Sequence, residues 1–114
     1  MRIQANYTAI DGASAAVVSP EFVNNMCDVC SIQVTGTFTS ATLHVQGIIN
    51  SDSAEWVNLA VLSLSDYTLA TSGISDEGIY ECGVEGVSRV RFNLSAVSGG
   101  DITVQAQFVN TAAD

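Results

Sequence analysis

The stretch 31-SIQVTGTFTSATLHVQGII-49 sets the fold class. In its first half Ile32, Val34 and Phe38 fall on one face, and Gln33, Thr35 and Thr37 on the other. That two-residue period is the signature of a strand with one wet face. After the short Thr39-Ser40 step, Leu43 and Val45 oppose His44 and Gln46 in the same way. Two such runs across a two-residue step read as a β-hairpin.

Working outward, 50-NSDSAE-55 reads as a polar loop and 56-WVNLAVLSL-64 as a third strand, more apolar throughout. A short fourth strand is expected near Tyr67 to Thr71, followed by a turn from Gly73 to Gly78. Strands are then expected at 79-IYECGV-84, at Ser88 to Leu94, and at 102-ITVQAQFV-109 after the Gly99-Gly100-Asp101 turn. In the run from Ser88, Val90, Phe92 and Leu94 point inward, while Arg89, Arg91 and Asn93 point outward. About seven to eight short strands predict an all-β antiparallel sandwich, jelly-roll or immunoglobulin-like, over residues 31–114. Residues 1–30 are less regular and read as an N-terminal arm. Within it, Ala13 to Val18 is a strand candidate, and Ser19-Pro20-Glu21 fits the opening of a helical turn.

The totals narrow the function classes. A chain of 114 residues is expected to fold as one domain with a single core. Twelve Asp and Glu stand against three Arg and no Lys, a formal charge of −9. Such a chain repels phosphate backbones and anionic membranes, so neither nucleic acid nor a membrane is an expected partner. No window approaches the roughly 18 continuous apolar residues that would span a bilayer. The opening MRIQANYTAI lacks an apolar signal region, so synthesis in a reducing cytoplasm is expected.

The string Asp76-x-Gly78-x-Tyr80-x-Cys82 matches the tyrosine corner of immunoglobulin domains. The rest of that framework is missing. Cys30 stands at a strand edge, and two complete strand patterns separate it from Trp56, where the immunoglobulin arrangement places the tryptophan on the next strand. The string therefore reads as a turn entering a strand.

A different resemblance covers residues 31 to 109. The ordered parts 35-TGTF-38, 41-ATLHVQG-47, 56-WVNL-59, 78-GIYE-81, 88-SRVRFNL-94, 99-GG-100 and 102-ITV-104 resemble those of small β-sandwich structural proteins of tailed-bacteriophage virions. Each motif alone is generic; their joint order carries the resemblance. It implies a non-enzymatic virion component, in the first instance a capsid decoration, or cement, protein on the outer capsid surface. The implied partner is the major capsid protein, together with copies of itself, a trimer being natural under closed symmetry. A tail-associated or fibre-adaptor role is the alternative within the virion. A carbohydrate-binding sandwich using Trp56, Tyr67, Tyr7 or Tyr80 is the alternative outside it.

Catalytic chemistry finds little support. His44 is the only histidine, and no G-x-S-x-G is present. Cys27, Cys30 and Cys82 include a C-x-x-C, but it opens a strand and no helix pattern follows, so inert, unbridged thiols are expected. Paired loop acids, Asp52 with Glu55 and Asp76 with Glu77, read as solvated side chains rather than a calcium site. No cofactor and no metal are expected. Arg89 and Arg91 must share a strand face and are expected to pair with acids. Residues 1 to about 12 of the arm are the expected assembly interface, with Arg2, Ile3, Tyr7 and Ile10 as its contact residues.

Overall fold

The computed structural model describes residues 2–49 and 55–112. Among these there are eleven strands and no helix. They are β1 (Arg2–Ala13), β2 (Val17–Val18), β3 (Phe22–Val23), β4 (Val29–Gly36), β5 (Ser40–Ile48), β6 (Val57–Leu59), β7 (Val61–Ser63), β8 (Leu69–Ala70), β9 (Gly78–Gly83), β10 (Arg89–Ser98) and β11 (Ile102–Asn110). A six-stranded sheet has the order β1-β11-β4-β9-β7-β8. A second sheet has the order β2-β10-β5-β6, with β3 also paired to β10. Every strand pairing is antiparallel. The architecture is the antiparallel β-sandwich that the alternating runs require.

Connectivity departs from the sequence reading in three places. The expected hairpin between residues 31 and 49 does not form, because β4 and β5 lie in opposite sheets. The link between them is an arch held by a second arch, β10 to β11. Thr37 and Phe38 donate backbone N–H groups to the Asp101 carbonyl, at 3.0 and 3.2 Å, and Thr39 donates to the Ser98 carbonyl at 2.9 Å. Gly99 and Gly100, both at positive φ, let these arches touch; a Cβ at either would collide with Thr39 or Thr37. The run 56–64 is two strands rather than one, and the chain changes sheet at Ala60. Its continuous apolar character suits a segment that serves both layers.

The third departure is the N-terminus. Residues 2–13 are the longest strand of the fold, zipped onto β11 from Arg2↔Asn110 to Ala13↔Ile102. Three register shifts interrupt that ladder. One of them, between Thr8 and Ile10, leaves the adjacent Ala9 and Ile10 both buried. Such bulges also make β1 a poor template for a foreign strand. Ser19-Pro20-Glu21 is not helical. It is the break between β2 and β3, where proline cannot donate to the ladder. Ser19 bridges the gap with both its backbone and its side chain. Its N–H donates to the Phe92 carbonyl and its hydroxyl accepts from the Phe92 N–H, both at 2.8 Å.

Phe92, Phe108, Ile32, Leu43, Leu94, Ile102 and the valines 34, 45, 90 and 104 fill the space between the sheets. An aromatic cluster ties the N-terminal third into this core. The Tyr7 ring lies 4.3 Å from Phe22 and 5.9 Å from Phe108, and Phe22 lies 6.3 Å from Phe92. These spacings are those of favourable ring pairs.

Candidate interaction surfaces

The outer face of the five-stranded sheet carries the most organised polar cluster. It follows from the alternation in β10: burying Val90, Phe92 and Leu94 turns Arg89, Arg91 and Asn93 outward. Across the ladder they face Ile48, Gln46 and His44 of β5, and Gln46 in turn faces Asn58 of β6. The Arg91 guanidinium lies 4.4 Å above the Trp56 ring, within cation–π range. Its Nε donates to Gln46 Oε1 at 2.8 Å, and Gln46 Nε2 donates to Asn58 Oδ1 at 2.8 Å. Arg89 sits beside this chain of contacts, 3.7 Å from the Glu21 carboxylate. The two arginines thus share a face as expected but not a role. Among the described residues Arg91 pairs with no acid. Trp56 is half-buried at the rim of the sheet, with one face covered by arginine, and takes no part in the core.

The opposite outer face, on the six-stranded sheet, is rich in amides and also carries Glu81, opposite Ser31. Asn6, Ser31, Gln33, Gln105 and Gln107 line a shallow depression of about 220 Å³ with Ile79 at its side. Thr8 donates its hydroxyl to Gln105 there at 3.0 Å.

The four residues expected to form an assembly interface divide between surface and core. Arg2 and Ile3 are exposed, Ile3 by 47%. Tyr7 is half-buried against Phe22 and Phe108, and Ile10 is only 4% exposed. An interface on β1 in the folded chain therefore has Arg2 and Ile3 to offer, with Ile10 committed to the sandwich.

Cys27, Cys30 and Cys82 are free and buried. Cys30 and Cys82 are direct partners across β4 and β9 of one sheet, not across the sandwich, so they do not occupy the immunoglobulin inter-sheet positions. Burial, reinforced by Cys82, drives the Cys30 thiol far above its ordinary range; burial pushes Cys82 up to about 11. Neither is a nucleophile at neutral pH. Tyr80 nevertheless forms a true corner: its hydroxyl donates to the Asp76 carbonyl four residues back, at 2.7 Å. Burial raises its pKa as well. The string Asp76-x-Gly78-x-Tyr80-x-Cys82 thus encodes a strand entry shared by different sandwiches, while Asp76 and Glu77 stay exposed in the turn.

Other acids are engaged locally. Asp28 accepts from both the hydroxyl and the backbone N–H of Thr111, which lowers its pKa. Asp66 accepts from the hydroxyl and N–H of Thr68, with the same consequence. Asp52 lies outside the described residues. Among those described, no three His, Cys, Asp or Glu side chains converge as metal ligands. Of the aromatics weighed as sugar platforms, Tyr67 alone is exposed, by 76%, in the β7–β8 turn.

The cation cluster was half legible in the sequence. Alternation placed Arg89 and Arg91 outward, but nothing local announced that Trp56 and Gln46, 35 and 45 residues earlier, would meet Arg91 across two strands.

No curated protein matches the chain. Two solved structures share its fold. The SPBc2 prophage-derived protein YomS aligns with a TM-score of 0.83 at 21% identity, over 93% of this chain and 92% of YomS. The PBSX exported protein XepA aligns with a TM-score of 0.82 at 15% identity, over 91% of this chain but only 37% of XepA. The XepA family profile matches residues 4–108, nearly the whole sandwich including β1, and the chain belongs to that family.

Proposed function

We propose that this is a non-enzymatic phage-encoded protein that works through its surfaces, as a structural component. The observation that carries the reading is the end-to-end likeness to YomS, which is described as prophage-derived, combined with membership of the XepA family. The finer reading is a decoration protein on the outer capsid surface. There it adds contact area between major capsid subunits and stabilises the assembled shell by mass action. A homo-oligomer, a trimer at a symmetry axis, suits that role. A tail position is the alternative, and a glycan-binding sandwich lies outside the virion class.

A second reading has its own support. The neighbour XepA is described as exported, which suits a phage product acting outside the host cell rather than on a capsid assembled inside it. One experiment separates the two. Particles purified after induction of the encoding phage are analysed by quantitative mass spectrometry beside the particle-free supernatant. Hundreds of copies per particle support capsid decoration, and three to a dozen support the tail. Recovery only in the supernatant supports the exported reading.

A further inference from the structure

We propose that Arg91 is the centre of an oxyanion-binding site on the outer face of the five-stranded sheet. The ligand class is a carboxylate or phosphate group presenting two oxygens along one edge. The argument begins with charge. In a chain with twelve acids and three arginines, a surface arginine is expected to find a carboxylate, as Arg89 finds Glu21. Arg91 does not, among the described residues. Its guanidinium lies over Trp56, and its Nε edge is taken by the Gln46 carbonyl. Gln46 is itself 9% exposed and locked by Asn58, so that edge is held from behind.

A guanidinium has five N–H donors in a rigid planar fork. With Nε committed to Gln46, the Nη1 and Nη2 edge is left, and its donors have no partner among the described residues. That edge matches two oxygens of a carboxylate or phosphate. The cost of ordering a long arginine side chain is met in the free protein by the indole and the amide, which is how preorganisation raises affinity. Arg89 two residues along the strand and His44 on the neighbouring strand lie on the same face. Of these, Arg89 is already paired with Glu21. The inference does not rest on a virion or exported location.

Trp56 is the only tryptophan, so its emission reports directly on the site. The full-length chain is titrated with inorganic phosphate and, separately, with glucuronate, sodium chloride holding the ionic strength constant. The expected result is a saturable change in Trp56 emission with at least one of them, with Kd on the order of 1 mM for a single bidentate contact. Which of them saturates tells phosphate from carboxylate. Arg91→Gln should abolish the change. Arg91→Lys, which keeps the charge but loses the fork, should weaken binding about tenfold or more. Arg89→Gln should leave Kd within about threefold. The proposal is overturned if neither anion saturates, if Arg91→Lys binds as well as the parent, or if Arg89→Gln abolishes binding as completely as Arg91→Gln.

Discussion

Replacing Ile10 by alanine distinguishes a first strand that belongs to the sandwich from one that is a detachable arm. Ile10 is 4% exposed beneath the β1–β11 ladder, opposite Val104, whereas Ile3 on the same strand is 47% exposed opposite Val109. Truncating a buried Ile or Leu to Ala costs about 2–5 kcal/mol, because the lost transfer energy is joined by a cavity. Ile10→Ala should therefore cost about 3 kcal/mol. Ile3→Ala removes side-chain carbons that are only half withdrawn from water, so about 1 kcal/mol is expected at roughly 0.8 kcal/mol per fully buried methylene. For a domain of this size about 4 °C of Tm accompanies each kcal/mol, giving shifts of about 12 °C and 4 °C. Thermal melts by circular dichroism, with urea titrations at 25 °C, measure both. Equal small shifts for the two variants would sink the reasoning and restore β1 as an arm that the sandwich does not need. The same energetics apply to deleting residues 2–13. That deletion uncovers β11 and removes Ile10 and Tyr7 from the core, so the shortened chain should lose cooperative melting.

Ser19→Ala deprives the buried Phe92 N–H of its acceptor and should cost about 1–3 kcal/mol by urea titration; a cost under about 0.5 kcal/mol would show that β10 does not depend on this stitch. The three thiols should resist alkylation in the native protein and all react once it is denatured, as read by intact mass without reductant; fast native labelling of Cys30 or Cys82 would contradict their burial. Cys30, Cys82 and Tyr80 all have raised pKa values in the fold, so their contribution is complete below the ordinary thiol value of 9.0 and is lost as pH rises through about 11 for Cys82. Tm should accordingly fall between pH 9 and 11, and a flat profile there would refute the assignment. Arg89→Ser should cost no more than about 1 kcal/mol, as expected for an exposed pair. Arg91→Ser should cost about 1–3 kcal/mol, because it leaves the Gln46 carbonyl without its donor. Equal effects would mean the Trp56–Arg91–Gln46 stack contributes nothing to folding.

The fold class was legible wherever one face of a strand is wet. The run from Ile102 to Val109 became β11 (Ile102–Asn110), and the outward placement of Arg89 and Arg91 followed from their neighbours. The first strand was illegible for a physical reason. Its bulges bury Ala9 and Ile10 side by side, which erases the two-residue period that alternation reading depends on. The 31–49 hairpin failed because a short polar step looks the same whether it turns back within one sheet or arches over to the other. What decided between them was the Asp101 carbonyl, more than sixty residues away in sequence. The cover on Trp56 was equally hidden: an aromatic beginning an apolar run gives no sign that an arginine from β10 will lie over it.

The pairing of the first strand with the last has a consequence for synthesis. Arg2 lies opposite Asn110, so β1 has no ladder partner until residue 110 has left the ribosome. At about 5–20 residues per second, the twelve-residue strand waits roughly 5–20 seconds with its ladder unmade. β4 can pair with β9 once Gly83 is made, but it is not joined to β1 until β11 inserts between them. The six-stranded sheet is thus completed late, when β11 joins β1 to the strands already paired with β4. During that interval the strong negative charge of the nascent chain keeps unfinished copies apart.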